Sequence, residues 1–138
     1  MDSEQLTVDR AAGVIKVRSH RYLIVWQKAM DLVDRVYDLA ESFPANEGYG
    51  LTSQITRAVV SVPANIAEGQ ARSTAKDFAN FLAIARGSLM ETETLLMVAL
   101  RRGYVTEAAA SDTLSGITEV SKMLTSLRHR IAARKGAR

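Results

Sequence analysis

Apolar residues recur every three or four positions along most of the chain, which is the pattern of amphipathic α-helices. The first helix carries two such series side by side, so its apolar arc is wide enough to contact more than one neighbour. One series is Val25, Ala29, Leu32, Val36, Leu39 and Phe43, and the other is Trp26, Met30, Val33, Tyr37 and Ala40. We predict that this helix ends at Phe43, because the residue before Pro44 is pushed out of the helical conformation.

The second helix is predicted to begin near Leu51 or Thr52, with Leu51, Ile55, Val59, Val62 and Ile66 on its apolar face. Pro63 lies in its interior and removes one backbone donor, so we predict a kink there. Gly69 suits a helix end because glycine tolerates the left-handed conformation. A rival interpretation makes Ser61 the cap of a new helix with Pro63 in its first turn. We favour one helix, since the apolar face keeps its phase across the proline.

The third helix is predicted from Thr74, which forms a capping box with Asp77, to about Arg102. One face is bulky, and a second face is a ladder of small residues spaced four apart: Ala75, Ala79, Ala83 and Gly87. Gly87 costs about 1 kcal/mol relative to alanine in a helix interior, so we expect close packing of another helix to compensate.

The fourth helix is predicted from Thr106 to about Ala133, with one apolar seam: Leu114, Ile117, Val120, Leu124, Leu127 and Ile131. Four helices joined by short turns, with no competing strand pattern, predict an all-α, antiparallel up-and-down four-helix bundle. We expect residues 22–133 to form this bundle, residues 1–21 a flexible N-terminal extension, and residues 134–138 a basic C-terminal tail.

Charge is unevenly distributed along the chain, whose formal net charge is +3. Residues 22–127 hold nine bases and twelve acids, whereas residues 128–138 hold five bases and no acid. These five bases are Arg128, Arg130, Arg134, Lys135 and Arg138. Clustered cations of this kind attract RNA or DNA through non-specific phosphate contacts, and no motif for reading bases accompanies them.

Candidate catalytic chemistry is sparse. Cysteine is absent, which excludes disulfides, thiolate metal sites and a cysteine nucleophile. Neither His20 nor His129 stands three residues after a glutamate, as di-metal bundles require, and no serine has a histidine base predicted beside it. We therefore expect no metal, no cofactor and no enzymatic activity. No apolar run reaches membrane-spanning length and no secretory signal is evident, so we expect a cytoplasmic protein without a membrane partner.

The best candidate for a specific role is a polar line along the second helix. Its members, spaced three or four apart, are Arg57, Ser61, Asn65, Glu68 and Arg72. One interpretation is a solvated face with weak pairs between successive turns. The other is a hydrogen-bonded network between helices or subunits, in which an arginine meets Glu68, and Asn65 caps a carbonyl freed near the kink. Such a network would specify one assembly geometry more than it would add stability. We assign Pro63, Gly69 and Gly87 to the same structural or assembly set.

Several segments resemble one bacterial family over roughly residues 22–131. They include Ile24-Val25-Trp26-Gln27-Lys28-Ala29, Glu47-Gly48-Tyr49-Gly50-Leu51-Thr52, Ser61-Val62-Pro63-Ala64-Asn65-Ile66-Ala67-Glu68-Gly69 and Gly87-Ser88-Leu89. The chain resembles the four-helix-bundle proteins named for their coding position in intervening sequences of 23S ribosomal RNA genes. That resemblance implies a ring-shaped homopentamer, no enzymatic activity and an unsettled biochemical role. It also implies a distant relation to the accessory variability determinant proteins of diversity-generating retroelements, which are thought to engage nucleic acid and a reverse transcriptase.

Two functional hypotheses follow. The first is a non-catalytic oligomeric scaffold or adaptor, because the first helix has more apolar surface than one bundle needs. The alternative is a nucleic-acid-binding accessory protein in which the basic C-terminal residues form a cationic rim on a ring. The retroelement relatives are strongly basic, whereas residues 22–127 of this chain have a net charge of −3 from nine bases and twelve acids.

Overall fold

Four α-helices form most of the computed structural model, which describes residues 6–9, 14–17 and 20–136. They are α1 (Ile24–Ala40), α2 (Leu51–Gln70), α3 (Ala75–Arg101) and α4 (Glu107–Gly136). The predicted all-α four-helix bundle is confirmed. Two short strands, β1 (Leu6–Asp9) and β2 (Val14–Val17), precede it and pair in antiparallel fashion, with Leu6 opposite Val17.

The helices pack around one core in a closed arrangement. Helix α2 packs against α1 and α3, and α4 also packs against α1 and α3, so α1 and α3 lie at diagonal corners of the bundle. Helices α2 and α3 run antiparallel, because Gly69 lies against Phe78 near one end of the pair while Ser61 contacts Ser88 further along.

The core consists of the predicted apolar faces. The face of α2 is buried at every predicted position, and so are the first four residues of the leading series on α1. The largest fully buried side chains come from all four helices: Leu32, Ile55, Ile66, Leu82, Leu89, Leu96, Ile117, Leu124 and Ile131. Burying an aliphatic side chain of this size contributes about 1.5–3 kcal/mol relative to leaving it exposed, so this set is the main source of bundle stability.

Helix α1 ends earlier than predicted, at Ala40 rather than Phe43. The next residues continue in a tighter turn, in which the Ser42 hydroxyl donates to the carbonyl of Tyr104, 2.9 Å away, as well as to the preceding turn. Phe43 is buried, and its ring lies 5.8 Å from that of Tyr104. Contacts with the α3–α4 connection therefore end the helix before Pro44 does.

Helix α2 begins at Leu51 as predicted, and its first turn is capped by Glu47. One carboxylate oxygen of Glu47 accepts from the Leu51 N–H at 3.1 Å, and the other accepts from the Tyr104 hydroxyl at 2.9 Å. These two hydrogen bonds, and to a lesser degree the charge of Arg102, lower the pKa of Glu47, although partial burial opposes the shift. A Cβ at position 50 would lie 2.7 Å from the Glu47 carboxylate, so a larger residue there would require that side chain to move. We call Glu47, Leu51 and Tyr104 the loop clamp.

Both ends of the chain differ from the sequence prediction. No strand was predicted before residue 22, yet β1 and β2 occupy short runs rich in Val, Ile, Leu and Thr, which favour extended backbone. The predicted flexibility of residues 1–21 stays a prediction. At the other end, α4 continues to Gly136 instead of stopping near Ala133, because alanine, arginine and lysine are all strong helix formers. Arg134 and Lys135 therefore belong to the helix, and Arg138 lies outside the described residues.

Candidate functional site

Helix α2 passes through Pro63 without interruption, so the alternative of two helices meeting at Ser61 is wrong. Pro63 is buried on the side of the helix that faces the core. Its ring nitrogen has no hydrogen to donate to the carbonyl of Val59, which a helix would otherwise pair with position 63. The predicted kink stays a prediction.

A small polar cluster joins α2 to α3 next to this proline. The hydroxyl oxygens of Ser61 and Ser88 are 2.8 Å apart, and the Asn65 side-chain amide donates to both the carbonyl (2.8 Å) and the hydroxyl (2.9 Å) of Ser61. On α3, the buried Thr92 hydroxyl donates to the carbonyl of Ser88 at 2.8 Å. We call these four residues the polar seam. The seam holds two helices in one register, because shifting either would separate the two serine hydroxyls.

Asn65 was predicted to cap a carbonyl freed near the proline. It does donate to a carbonyl beside Pro63, but that carbonyl belongs to Ser61 and not to Val59, which is the group left without its helical donor. The Asn65 amide also donates to the Ser61 hydroxyl, which in turn contacts Ser88 on α3.

The charged members of the predicted polar line lie outside the seam. Arg72 and Glu68 form an ion pair at 3.1 Å, with side chains that are 46 % and 53 % exposed. Exposed pairs one helical turn apart contribute about 0.3–0.5 kcal/mol. The Arg72 guanidinium also lies over the ring of Phe81 on α3, 4.7 Å from its centroid. Arg57 is exposed and, in the described part of the chain, has no ion pair. Within one chain the line therefore divides into a half-buried neutral part that bonds to α3 and a solvated charged part, and a network between subunits stays a prediction.

Gly69 does not end α2 in a left-handed conformation, which corrects the sequence prediction. The helix continues to Gln70, and Gly103 is the glycine with positive φ among the described residues. Gly69 is buried against α3 instead. A Cβ at position 69 would lie 2.6 Å from the Cβ of Phe81 and 3.1 Å from the ring of Phe78. The glycine is therefore required for the close approach of α2 and α3.

Gly87 shows the opposite environment. It is exposed in the middle of α3, and a Cβ added there would meet no atom within 4 Å. We expected close packing of another helix to compensate for the cost of glycine in a helix. Within one chain that prediction is wrong, because no other helix contacts Gly87. The small-residue ladder is split, since Ala75 and Ala79 pack against the core whereas Gly87 faces outward.

These contacts offer no catalytic arrangement. The paired hydroxyls of Ser61 and Ser88 have Asn65 beside them and no histidine, and His20 instead packs edge-on against Trp26 with ring centroids 5.2 Å apart. Within the described ranges, no group of three or more histidines and carboxylates is placed to hold a metal ion. The helices described here include none with the length and apolarity to cross a membrane.

The basic C-terminal residues begin within a helix. Arg128 and Arg130 are exposed on α4, near the end where α2 and α3 also connect. Arg72 lies within the α2–α3 connection and Lys76 in the first turn of α3, and both are exposed. Lys76 therefore adds a cation near the C-terminal residues, whereas the charge of Arg72 is paired with Glu68.

Sequence reasoning missed the loop clamp. Glu47 stands four residues before Leu51, the first residue of α2. A carboxylate just before a helix can accept a hydrogen bond from the free N–H groups of its first turn, so this position was a usable signal. Tyr104 had no comparable signal, because it lies 57 residues away and reaches Glu47 only once the four helices are packed.

Comparisons with known proteins agree with this architecture. The family model described as "23S rRNA-intervening sequence protein" matches residues 21–126. Among solved structures, a protein of unknown function from the S23 ribosomal protein family of Bacteroides thetaiotaomicron VPI-5482 is 30 % identical with a TM-score of 0.69. The match covers 76 % of this chain and 98 % of that protein. Among curated proteins, no match is found.

Proposed function

We propose that this chain, which belongs to the 23S rRNA-intervening sequence protein family, is a non-catalytic oligomeric scaffold or adaptor. The similar solved structure is of unknown function. The observation that carries this proposal is a pair of apolar lines on the outside of the bundle. Both helices also bury a separate set of apolar residues in the core. The exposed apolar residues are therefore not needed for one protomer to fold.

The first line is on α1. Met30 and Tyr37 are 38 % and 49 % exposed, and they lie seven residues apart, which places them on the same side of the helix two turns from each other. Both belong to the second apolar series of this helix, of whose other members Trp26 and Val33 are half-buried and Ala40 is buried. We call Met30 and Tyr37 the α1 apolar line.

The second line is on α3. Ile84 and Val98 are 51 % and 40 % exposed on the same side of the helix, with exposed Glu91 midway between them and exposed Gly87 one turn after Ile84. The missing side chain at Gly87 leaves a shallow notch, which a large side chain from another molecule would fill. We call Ile84 and Val98 the α3 apolar line.

The positions of the two lines favour a ring. Helices α1 and α3 occupy diagonal corners, so their outward faces point to opposite sides of the bundle. A contact in which the α1 line of one copy meets the α3 line of the next is heterologous, and repeated heterologous contacts close into rings or extend into filaments. The homopentamer expected from the family resemblance is a ring of this kind.

The test is light scattering during size-exclusion chromatography at low micromolar concentration. We expect a species several times the 15.1 kDa protomer mass, with five copies as the specific prediction. Met30→Glu combined with Tyr37→Glu should reduce the assembly to protomers, and so should Ile84→Glu combined with Val98→Glu. Ser126→Glu, an exposed change on α4, is the matched control and should leave the mass unchanged. A wild-type protein that elutes as a stable 15.1 kDa species would refute the proposal.

Mixing the two defective double variants tests the heterologous arrangement itself. Each keeps one intact line, so a mixture should form a one-to-one dimer and stop there. If the α3 variant still assembles fully by itself, the interface is instead a symmetric contact through α1, and the proposed pairing of lines is wrong.

The second candidate function is non-specific binding of RNA or DNA by the basic end of the bundle. The observation that favours it is the exposure of Lys76, Arg128 and Arg130 near one end, beside Arg72, which is paired with Glu68. In a ring, copies of this end would form a cationic rim, and each phosphate contact would steepen the salt dependence of binding. Replacing Arg128, Arg130, Arg134 and Lys135 with glutamine, which keeps the buried Ile131, should weaken binding to a single-stranded oligonucleotide and flatten that dependence. Binding that is unchanged by these replacements, or absent at low salt, would contradict this candidate.

A further inference from the structure

A groove of about 610 Å³ opens on the surface between α1 and α4. The two helices run antiparallel there: Lys28 pairs with Glu119 at 3.2 Å, and one turn further along α1, Leu32 lies against Gly116. The groove extends along the helices past this contact.

The floor of the groove is apolar. Leu32 and Val120 line it and are 2 % and 1 % exposed, so they present limited apolar surface at its base. Gly116 lies between the walls, and a Cβ there would approach the Leu32 side chain to 2.9 Å. The absence of a side chain at position 116 therefore lets α4 lie on Leu32 while leaving the space above open.

The walls carry charges of both signs. Continuing the same register by one further turn places Arg35 on α1 opposite Asp112 on α4, and Asp31 lies one turn before Arg35. All three line the groove. Among residues that the structure describes, the side chains of these three have no partner in an ion pair or a hydrogen bond. Since Lys28 and Glu119 neutralise each other, the groove is left with two carboxylates and one guanidinium unpaired.

We propose that this groove binds a dibasic amino acid of the lysine or arginine class. Such a ligand carries one carboxylate and two cationic groups, which is the complement of the unpaired charges. Its carboxylate would take the planar donor pair of Arg35, and its α-ammonium and side-chain cation would meet Asp31 and Asp112. Its methylene stem would lie over Gly116, which leaves the floor without a side chain, since Leu32 and Val120 beneath it are almost fully covered. A groove of about this volume is within the range of small-molecule sites.

This proposal goes beyond the scaffold function and does not depend on the oligomeric state, because every residue it uses comes from one protomer. It also requires no reaction, since the walls supply recognition only.

The experiment is isothermal titration calorimetry of the full chain with three related probes. L-lysine should bind saturably. L-norleucine, which lacks the side-chain cation, and 1,5-diaminopentane, which lacks the carboxylate, should each bind at least about tenfold more weakly, the equivalent of one charge contact. Equal binding of 1,5-diaminopentane and L-lysine would show simple attraction of cations to carboxylates and would overturn the assignment of Arg35.

Substitutions locate the site. Arg35→Gln should weaken L-lysine about tenfold but should not weaken 1,5-diaminopentane, a dication that Arg35 repels, whereas Asp112→Asn should weaken both. Asp34→Asn and Arg57→Gln remove exposed charges that do not line the groove, so they are matched controls and should leave both affinities unchanged. No saturable heat with L-lysine up to about 10 mM, or an affinity unaltered by Arg35→Gln, would overturn the proposal.

Discussion

Gly69→Ala is the sharpest test of how α2 and α3 fit together. Helix propensity alone predicts that alanine in place of an interior glycine stabilises a helix by about 1 kcal/mol. The structure predicts the opposite sign. The new Cβ would lie 2.6 Å from the Cβ of Phe81 and 3.4 Å from the carbonyl oxygen of Phe78, and both of these atoms move only with the α3 backbone.

The magnitude follows from these two effects. Inserting a methyl group into a well-packed contact costs about 1–3 kcal/mol, and the upper part of this range applies because a Cβ and a backbone atom cannot rotate away. Subtracting a propensity gain of about 1 kcal/mol leaves a net loss of about 1–2 kcal/mol. The substitution changes the packing of the folded state and not the amount of surface exposed on unfolding. The loss should therefore appear as a lower urea midpoint with an unchanged slope of the transition.

The assay is urea unfolding followed by circular dichroism, with Gly87→Ala as the matched control. That substitution is chemically identical and also lies inside a helix, but it meets open space, so it should stabilise by up to about 1 kcal/mol. Both variants should be measured at equal protein concentration, once in the otherwise wild-type chain and once combined with Met30→Glu and Tyr37→Glu. If Gly69→Ala is as stable as wild type or more so, the close approach of α2 and α3 described above is wrong.

Other substitutions test separate features. Ser88→Ala removes the hydroxyl contact to Ser61 but keeps the backbone acceptor, so we expect a loss of about 1 kcal/mol in urea unfolding, and no measurable change would contradict the polar seam. Glu47→Gln should destabilise the protein near neutral pH. Because folding lowers the pKa of Glu47, the wild type should lose this advantage as the pH falls below the ordinary range of a glutamate and through the lowered pKa. Tyr104→Phe should raise the pKa of Glu47 measured by carboxyl-carbon NMR, and an unchanged pKa would contradict the hydrogen bond. Pro63→Ala should give a folded helical protein with altered assembly by light scattering, whereas an unchanged oligomer with a higher melting temperature would show that the proline is only tolerated.

The bundle was predictable where one local signal decides the structure. The spacing of apolar residues identified the buried face of α2 completely, since a face is a property of periodicity alone. The start of α3 was also predictable, because the Thr74 hydroxyl accepts from the Asp77 N–H at 3.1 Å within one turn of chain. Signals of this kind require no knowledge of the neighbouring helices.

Glycine was not predictable in the same way. Gly69 and Gly87 are the same residue in helical surroundings, yet one is buried against phenylalanines and the other faces open space. The sequence supports a turn, a contact or a notch equally well at each position, and only the path of α3 decides. The environment of the polar line was not predictable for a similar reason. Its spacing places Arg57 and Ser61 one turn apart, but spacing does not tell that Ser61 is half-buried whereas Arg57 is exposed.

The loop clamp has a kinetic consequence. The contacts between α2 and α3 join residues close in the chain, such as Gly69 and Phe78, whereas the hydrogen bond from Tyr104 to Glu47 closes a loop of 57 residues. Closing a longer loop costs more chain entropy, so we expect this hydrogen bond to form after the transition state for folding. Its loss in Tyr104→Phe should then accelerate unfolding and leave the folding rate nearly unchanged. The clamp would thus lengthen the lifetime of the folded bundle, because it joins the α1–α2 connection to the α3–α4 connection at one end.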